Sequence, residues 1–154
     1  MLQAVTPLDD EAFGAWRAFL NAHAMATRRI NRDLADQGLP DLRWYDLLWA
    51  LYRLPERRLR VNELAREVVL SPTAMSRFVD RVEDAGHVRR EPDPADRRAL
   101  QIAITDSGVA LLRRMWPVYE RGIERHFAAP LGRSSARVRT LLERVADSAR
   151  DDVD

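Results

Sequence analysis

Ser71, Thr73, Ala74, Ser76, Arg77 and Arg81 lie close together in SPTAMSRFVDR and bring hydroxyl groups, small side chains and two guanidinium groups to one short stretch. Hydroxyl and guanidinium donors suit the phosphates and base edges of a duplex major groove. A second set, Asp96, Arg97 and Arg98 in EPDPADRR, offers two guanidinium groups on a turn. A guanidinium matches the negative potential of a narrow minor groove, and Arg98 is the side chain expected to insert there. Asp96 either holds that guanidinium extended by a charge-assisted hydrogen bond or serves as a plain turn residue. Catalysis has no comparable set of residues: the chain has no Gly-rich phosphate loop, no Gly-x-Ser-x-Gly and no histidine pair at i and i+4. His23, His87 and His126 are scattered, and cysteine is absent. No enzyme activity, metal or cofactor is therefore expected.

The elements that must position these groups carry clear signals. Ser71 as N-cap, Pro72 at the first helical position and Gly86 past the end predict a helix of about four turns. Helical spacing then puts Met75, Phe78, Val79 and Val82 on a packing face and Thr73, Ser76, Arg77 and Asp80 on a free face, with Arg81 beside it. After Gly86 the pattern turns β-like over His87 to Arg90 and Ala99 to Ile104, around a tip rich in proline and aspartate. Alternation of Leu100, Ile102 and Ile104 with Gln101 and Ala103 predicts a half-buried strand. The expected fold is mainly α with a small β-hairpin wing following a helix that can read DNA.

Composition sets the outer bounds. A chain of 154 residues with 46% apolar content suits one domain with a core of its own. No apolar run approaches a membrane span and MLQAVTPLDDEAF lacks signal-peptide character, so a cytoplasmic protein is expected. All basic residues are arginine and the net charge is only +1, which is low for a protein that must neutralise phosphates. From Ser71 to Arg98 six arginines face six acids, while Arg53 to Arg66 holds five arginines against Glu56 and Glu63. Binding must then depend on placement of charge. The balanced motif leaves a protein-interaction module without DNA binding as the alternative reading.

The helix, the glycine, the hairpin with Asp96-Arg97-Arg98 and the following Thr105-Asp106-Ser107-Gly108 together resemble the winged helix-turn-helix of the MarR family of transcriptional regulators. Upstream, Asp41 to Leu54 resembles the helix before that motif, Leu59 to Val61 its first strand, and Asn62 to Val68 its first helix-turn-helix helix. The resemblance spans essentially the whole chain, residues 1–154, as a single domain with a DNA-binding region over residues 41–104. It implies a homodimer on a pseudo-palindromic operator of double-stranded DNA, commonly a repressor released by a small ligand or an oxidant. Without cysteine, thiol-based sensing is excluded here.

The flanking segments fit that expectation. From Asp9 to Gln37 one stripe runs through Phe13, Trp16, Leu20, Ala24, Thr27, Ile30 and Leu34, in a helix roughly 40 Å long at 1.5 Å per residue. A second pattern runs from Thr105 to about Phe127, with a kink expected at Pro117, and a third follows Ser134 or Ser135 to Ala149. Residues 9–37 and 105–150 are read as dimerisation helices, placing two reading helices roughly 34 to 36 Å apart. A monomer with its terminal helices folded back is the alternative. Small aromatic acids commonly bind in the resembled family between such helices and the winged motif. Trp16, His23, Arg28, Trp44, Tyr45 and Trp49 are the candidate pocket residues here, with Arg28 or His23 to meet a carboxylate, unless the aromatics are simply core.

Overall fold

A computed structural model describes residues 9–96 and 98–151 of the chain. The first eight residues, part of the segment on which the signal-peptide expectation rests, lie outside them. The element order is α1 (Asp10–Ala35), α2 (Leu42–Tyr52), β1 (Arg58–Arg60), α3 (Val61–Glu67), α4 (Pro72–Asp84), β2 (Val88–Pro92), β3 (Leu100–Ile104) and α5 (Asp106–Ile123). A π-helical turn (Glu124–Ala128), the short α6 (Ala129–Leu131), a 3-10 turn (Gly132–Ser134) and α7 (Ser135–Asp151) complete the chain. No described helix is long and apolar enough to cross a membrane.

Two compact units result, one of Ile30–Tyr119 and one drawn from both ends of the chain, through Arg29 and from Glu120 on. The central unit is a winged helix-turn-helix. Its three strands form an antiparallel sheet in the order β1-β3-β2. Its core gathers Leu34 of α1, Leu47, Leu48 and Leu51 of α2, Leu64 of α3, Met75, Val79 and Val82 of α4, Ile102 of β3 and Met115 of α5, all fully buried. The apolar face expected for α4 is thus the buried one, Phe78 included.

Caps fix the ends of α4 as its sequence requires. Ser71 accepts a hydrogen bond from the Ala74 amide at 3.2 Å, with Pro72 at the first helical position. At the other end Gly86 takes a positive φ of 81°, and the amides of Gly86 and His87 donate to the carbonyls of Glu83 and Val82. The chain then enters β2 directly. Thr105 closes the far side of the hairpin: its hydroxyl donates to the Gly86 carbonyl at 2.7 Å and accepts from the Gly108 amide at 3.1 Å. A Cβ at Gly108 would stand 2.2 Å from the His87 carbonyl oxygen, so only glycine lets α5 approach this closely.

Local differences from the sequence reading have physical causes. β1 and α3 begin one residue earlier than expected, because Arg60 leaves the strand as the N-cap of α3 and its amide donates to the Glu63 carboxylate at 2.9 Å. β2 runs on to Pro92, tolerated on an edge strand that needs no donor there. Leu100 is exposed although it alternates with Ile102 and Ile104, since it pairs with Pro92 beyond the reach of β1, whose partners are Gln101 to Ala103. Ala103 is buried on the nominally polar side, flanked in register by Arg58 and Arg89. α5 runs through Pro117 as continuous helix, and its hydrogen-bond pattern changes only at Glu124–Ala128.

In the terminal unit, Phe13, Trp16, Phe19 and Leu20 of α1 and Leu141, Leu142 and Val145 of α7 are exposed. The long stripe of α1 is buried only at Ile30 and Leu34.

Between α3 and α4, Val69 sits at φ 55° with 88% of its surface exposed. A β-branched residue in the left-handed region is strained and here gains nothing from burial. Val69→Gly should raise the unfolding free energy by about 1 kcal/mol in urea melts. An unchanged or lower midpoint would show that no strain is stored there.

Candidate nucleic-acid interface

Ser71, Thr73, Ala74, Arg77 and Arg81 are all exposed on α4, and Ser76 is half-exposed. They stand opposite the buried Met75, Phe78, Val79 and Val82, so helical geometry alone brings the hydroxyls and guanidinium groups to one face. Arg81 lies 5.2 Å above the Phe78 ring. Neither Arg77 nor Arg81 has an ion-pair partner among the described residues.

The acids of this region are turned to other work. Arg90 of β2 pairs with Asp80 and with Glu83 of α4, and the Arg90 amide donates to Glu83 at 2.8 Å. Glu91 pairs with Arg89 at 2.5 Å and with Arg58 at 3.6 Å. Asp93 pairs with Arg60 at 2.6 Å. Four of the six acids between Ser71 and Arg98 are therefore ion-paired with arginines that do not face outward on α4. The charge balance that argued for a protein-interaction module dissolves once these pairs are removed.

The wing is organised differently from expectation. Asp96 does not grip the Arg98 guanidinium: its carboxylate accepts the Arg98 backbone amide at 3.0 Å, the geometry of a plain turn aspartate. Arg98 is exposed and has no ion pair among the described residues, while Arg97 lies outside them. The organising acid is Asp93, one of the aspartates of the proline-rich tip. It is 3% exposed and accepts from Arg60 Nε at 2.7 Å and from the Ala95 amide at 2.8 Å. The Asp93 amide donates to the Ala99 carbonyl at 3.0 Å, which closes the loop at its base. The Ala95 amide and then the Arg60 guanidinium hold the Asp93 carboxyl below the usual carboxylate range. Its burial needed Arg60 beside it, thirty-three positions away in the chain, and no local pattern signals that pairing.

Within the central unit the proposed pocket residues divide into two groups. Trp44 sets its edge against Phe78 and His87, each at 6.0 Å, within the helix-turn-helix. Tyr45 stacks on Trp49 at 6.4 Å and on Trp116 at 6.1 Å, with Tyr119 edge-on at 4.8 Å. Burial pushes the Tyr45 hydroxyl up to about 12. Trp116 and Tyr119 were missed in the sequence because their partners come from another helix. Trp16 and His23, both against Phe19, belong with Arg28 to the terminal unit. A groove of about 260 Å³ beside Trp49 carries Asp46, Glu67 and Arg53 as its charged lining. Arg53 is paired with Glu67.

A free-faced helix capped into a hairpin with an exposed arginine defines a winged helix-turn-helix DNA-binding protein. The MarR family model matches residues 37–99, from just before α2 through the wing loop to the edge of β3. AbsC, a MarR family transcriptional regulator from Streptomyces coelicolor, superposes with a TM-score of 0.84 at 28% identity, covering 96% of this chain and 99% of that one. Sco3205, a MarR family regulator from the same organism solved in complex with DNA, gives 0.82 at 29% identity, over 94% and 91%. The HTH-type transcriptional repressor IacR of Pseudomonas putida is 27% identical over 121 residues, 79% of this chain and 71% of that protein. The winged helix-turn-helix thus matches the MarR family model, and over most of its length the chain is similar to MarR family DNA-binding transcriptional regulators.

Because the Asp93 pKa is lowered on folding, its contribution to stability is present above the unfolded value of 3.8 and fades as pH falls through the lower folded value. Asp93→Asn should therefore unfold at lower urea than the parent at pH 7, and the gap should close as the pH drops below about 4. A gap that stays constant down to pH 2 would mean the carboxylate charge does not hold the wing.

Proposed function

We propose that the protein is a homodimeric repressor that binds a pseudo-palindromic operator and is released by a small ligand. The observation that carries the DNA-reading part is the outward array of Arg77, Arg81 and Arg98 with the neighbouring acids paired internally. Ser71, Thr73, Ala74, Ser76, Arg77 and Arg81 meet the major groove. Arg98, with Arg97 beside it and Asp96 shaping the turn, enters the minor groove. Repression is the role named for IacR, the relative from Pseudomonas putida.

Dimerisation has support in the exposed apolar side chains of the terminal unit. Phe13, Trp16 and Leu20 on α1 and Leu141 and Val145 on α7 leave large apolar side chains in water, the kind of surface a second copy can cover. A second copy of the chain covering those helices places two reading heads about one DNA turn apart, roughly 34 Å. The ligand acts on that spacing, and the aromatic cluster around Tyr45 and Trp49 supplies a stacking surface for it.

Arg77→Ala should relax sequence preference, and Arg98→Ala should weaken binding to many sequences, each by ~1–3 kcal/mol in band shifts. Full affinity and preference in either variant would remove that residue from the interface. Sedimentation should report two copies of the parent chain, and Leu142→Arg should report one. A parent that sediments as a monomer at micromolar concentration would end the dimer reading.

A further inference from the structure

Two arginines from different helices share one aromatic ring. Arg43, near the start of α2, lies 6.0 Å from the Phe78 ring centre and Arg81 of α4 lies 5.2 Å from it. Phe78 is itself buried, so the ring is a fixed platform. Both arginine side chains are exposed.

Asp41, the N-cap of α2, holds Arg43 in place. Its carboxylate accepts the Arg43 amide at 3.0 Å, Nε at 3.1 Å and Nη2 at 2.6 Å. Those bonds occupy one edge of the guanidinium. The opposite edge, with Nη1, has no partner among the described residues, and a guanidinium carries enough donors to serve two anions. Arg43 holds the Asp41 carboxyl below its usual value, and the Arg81 charge adds to the effect. A pair this exposed is worth little by itself, so its role need not be stability.

We propose that Arg43 and Arg81 form a two-arginine clamp for a DNA backbone phosphate, preset by Phe78 and Asp41, beside the face of α4 that reads bases. The clamp rests on the DNA-reading orientation given above and adds to it a contact from outside the recognition helix. Such a contact carries no sequence information and acts through charge, so it contributes equally on every duplex. Asp41 is a counter-ion already on site: it keeps Arg43 extended and partly opposes the incoming phosphate.

The test is a salt titration of the full chain on a random-sequence 30-base-pair duplex. Each phosphate neutralised adds about 0.9 to the slope of log affinity against log salt. Arg43→Ala should flatten the slope by about 0.9 and weaken binding several-fold at low salt, while Arg43→Lys keeps the slope. Asp41→Asn retains a capping side chain and removes the opposing charge, so it should bind more tightly than the parent. A role for Arg43 in folding alone would lower affinity without changing the slope, and an unchanged slope in Arg43→Ala overturns the clamp. Weaker binding by Asp41→Asn, with an unaltered melting temperature, overturns the counter-ion role. A parent chain that binds no duplex would sink the DNA-reading orientation together with the clamp, whereas parent binding with an unchanged slope sinks the clamp alone.

Discussion

Arg90 is the constraint on which the reading head depends. It extends from β2 on the side of the sheet that faces α4, in register with Ile102, and pairs with Asp80 and Glu83 one helical turn apart. A part-buried guanidinium left without those carboxylates would be costly, so hairpin and helix are held together by a group that neither can lose alone. The turn at Gly86 makes the connection short, and the close approach at Gly108 fixes the other side of the hairpin. Helix and wing then present their arginines in a fixed relation, as the proposed reading of two neighbouring grooves requires.

The same pairs explain how a chain of net charge +1 can address a polyanion. Arg58, Arg60, Arg89 and Arg90 spend their charge on the acids of the motif. Arg77, Arg81 and Arg98 keep theirs, since none of them forms an ion pair among the described residues. Net charge averages over both groups, whereas a phosphate a few ångströms away experiences only the second, since exposed charges beyond a Debye length of about 8 Å are screened. A charge count over the motif therefore understates its local field.

Local rules made α4 legible: Ser71, Pro72 and Gly86 gave its ends, and helical spacing gave its buried face. The wing was legible as a hairpin from its turn residues, but its internal logic was not. Asp93 and Asp96 look alike in sequence, and only the tertiary pairing with Arg60 buries one and leaves the other as a turn residue on the surface. Trp44 and Tyr45 show the same limit. As neighbours on one helix they face different sides, one toward Phe78 and one toward Trp49, Trp116 and Tyr119, so the aromatic residues gathered as one pocket fall into separate clusters. The shift of β1 and α3 by one residue follows from Glu63 capping the Arg60 amide, a contact weaker than the hydrophobic pattern used to place them.

Where a signal could act follows from where the structure is already committed. The wing is tied to α4 through Arg90 and to α3 through Arg60, and α5 is pressed against the carbonyl of His87, so the parts of one reading head have little freedom to move separately. A ligand that altered the wing against the helix would have to break several ion pairs at once and leave the part-buried Arg90 and the buried Asp93 without their partners. Moving a whole head costs none of these contacts. In the proposed dimer, control by displacement of one intact head relative to the other is the less expensive route, because two-site recognition fails when the spacing is wrong even if each site is perfect. In that proposed dimer the exposed apolar faces of α1 and α7 would do more than hold two copies together: their packing would set the spacing that an effector changes.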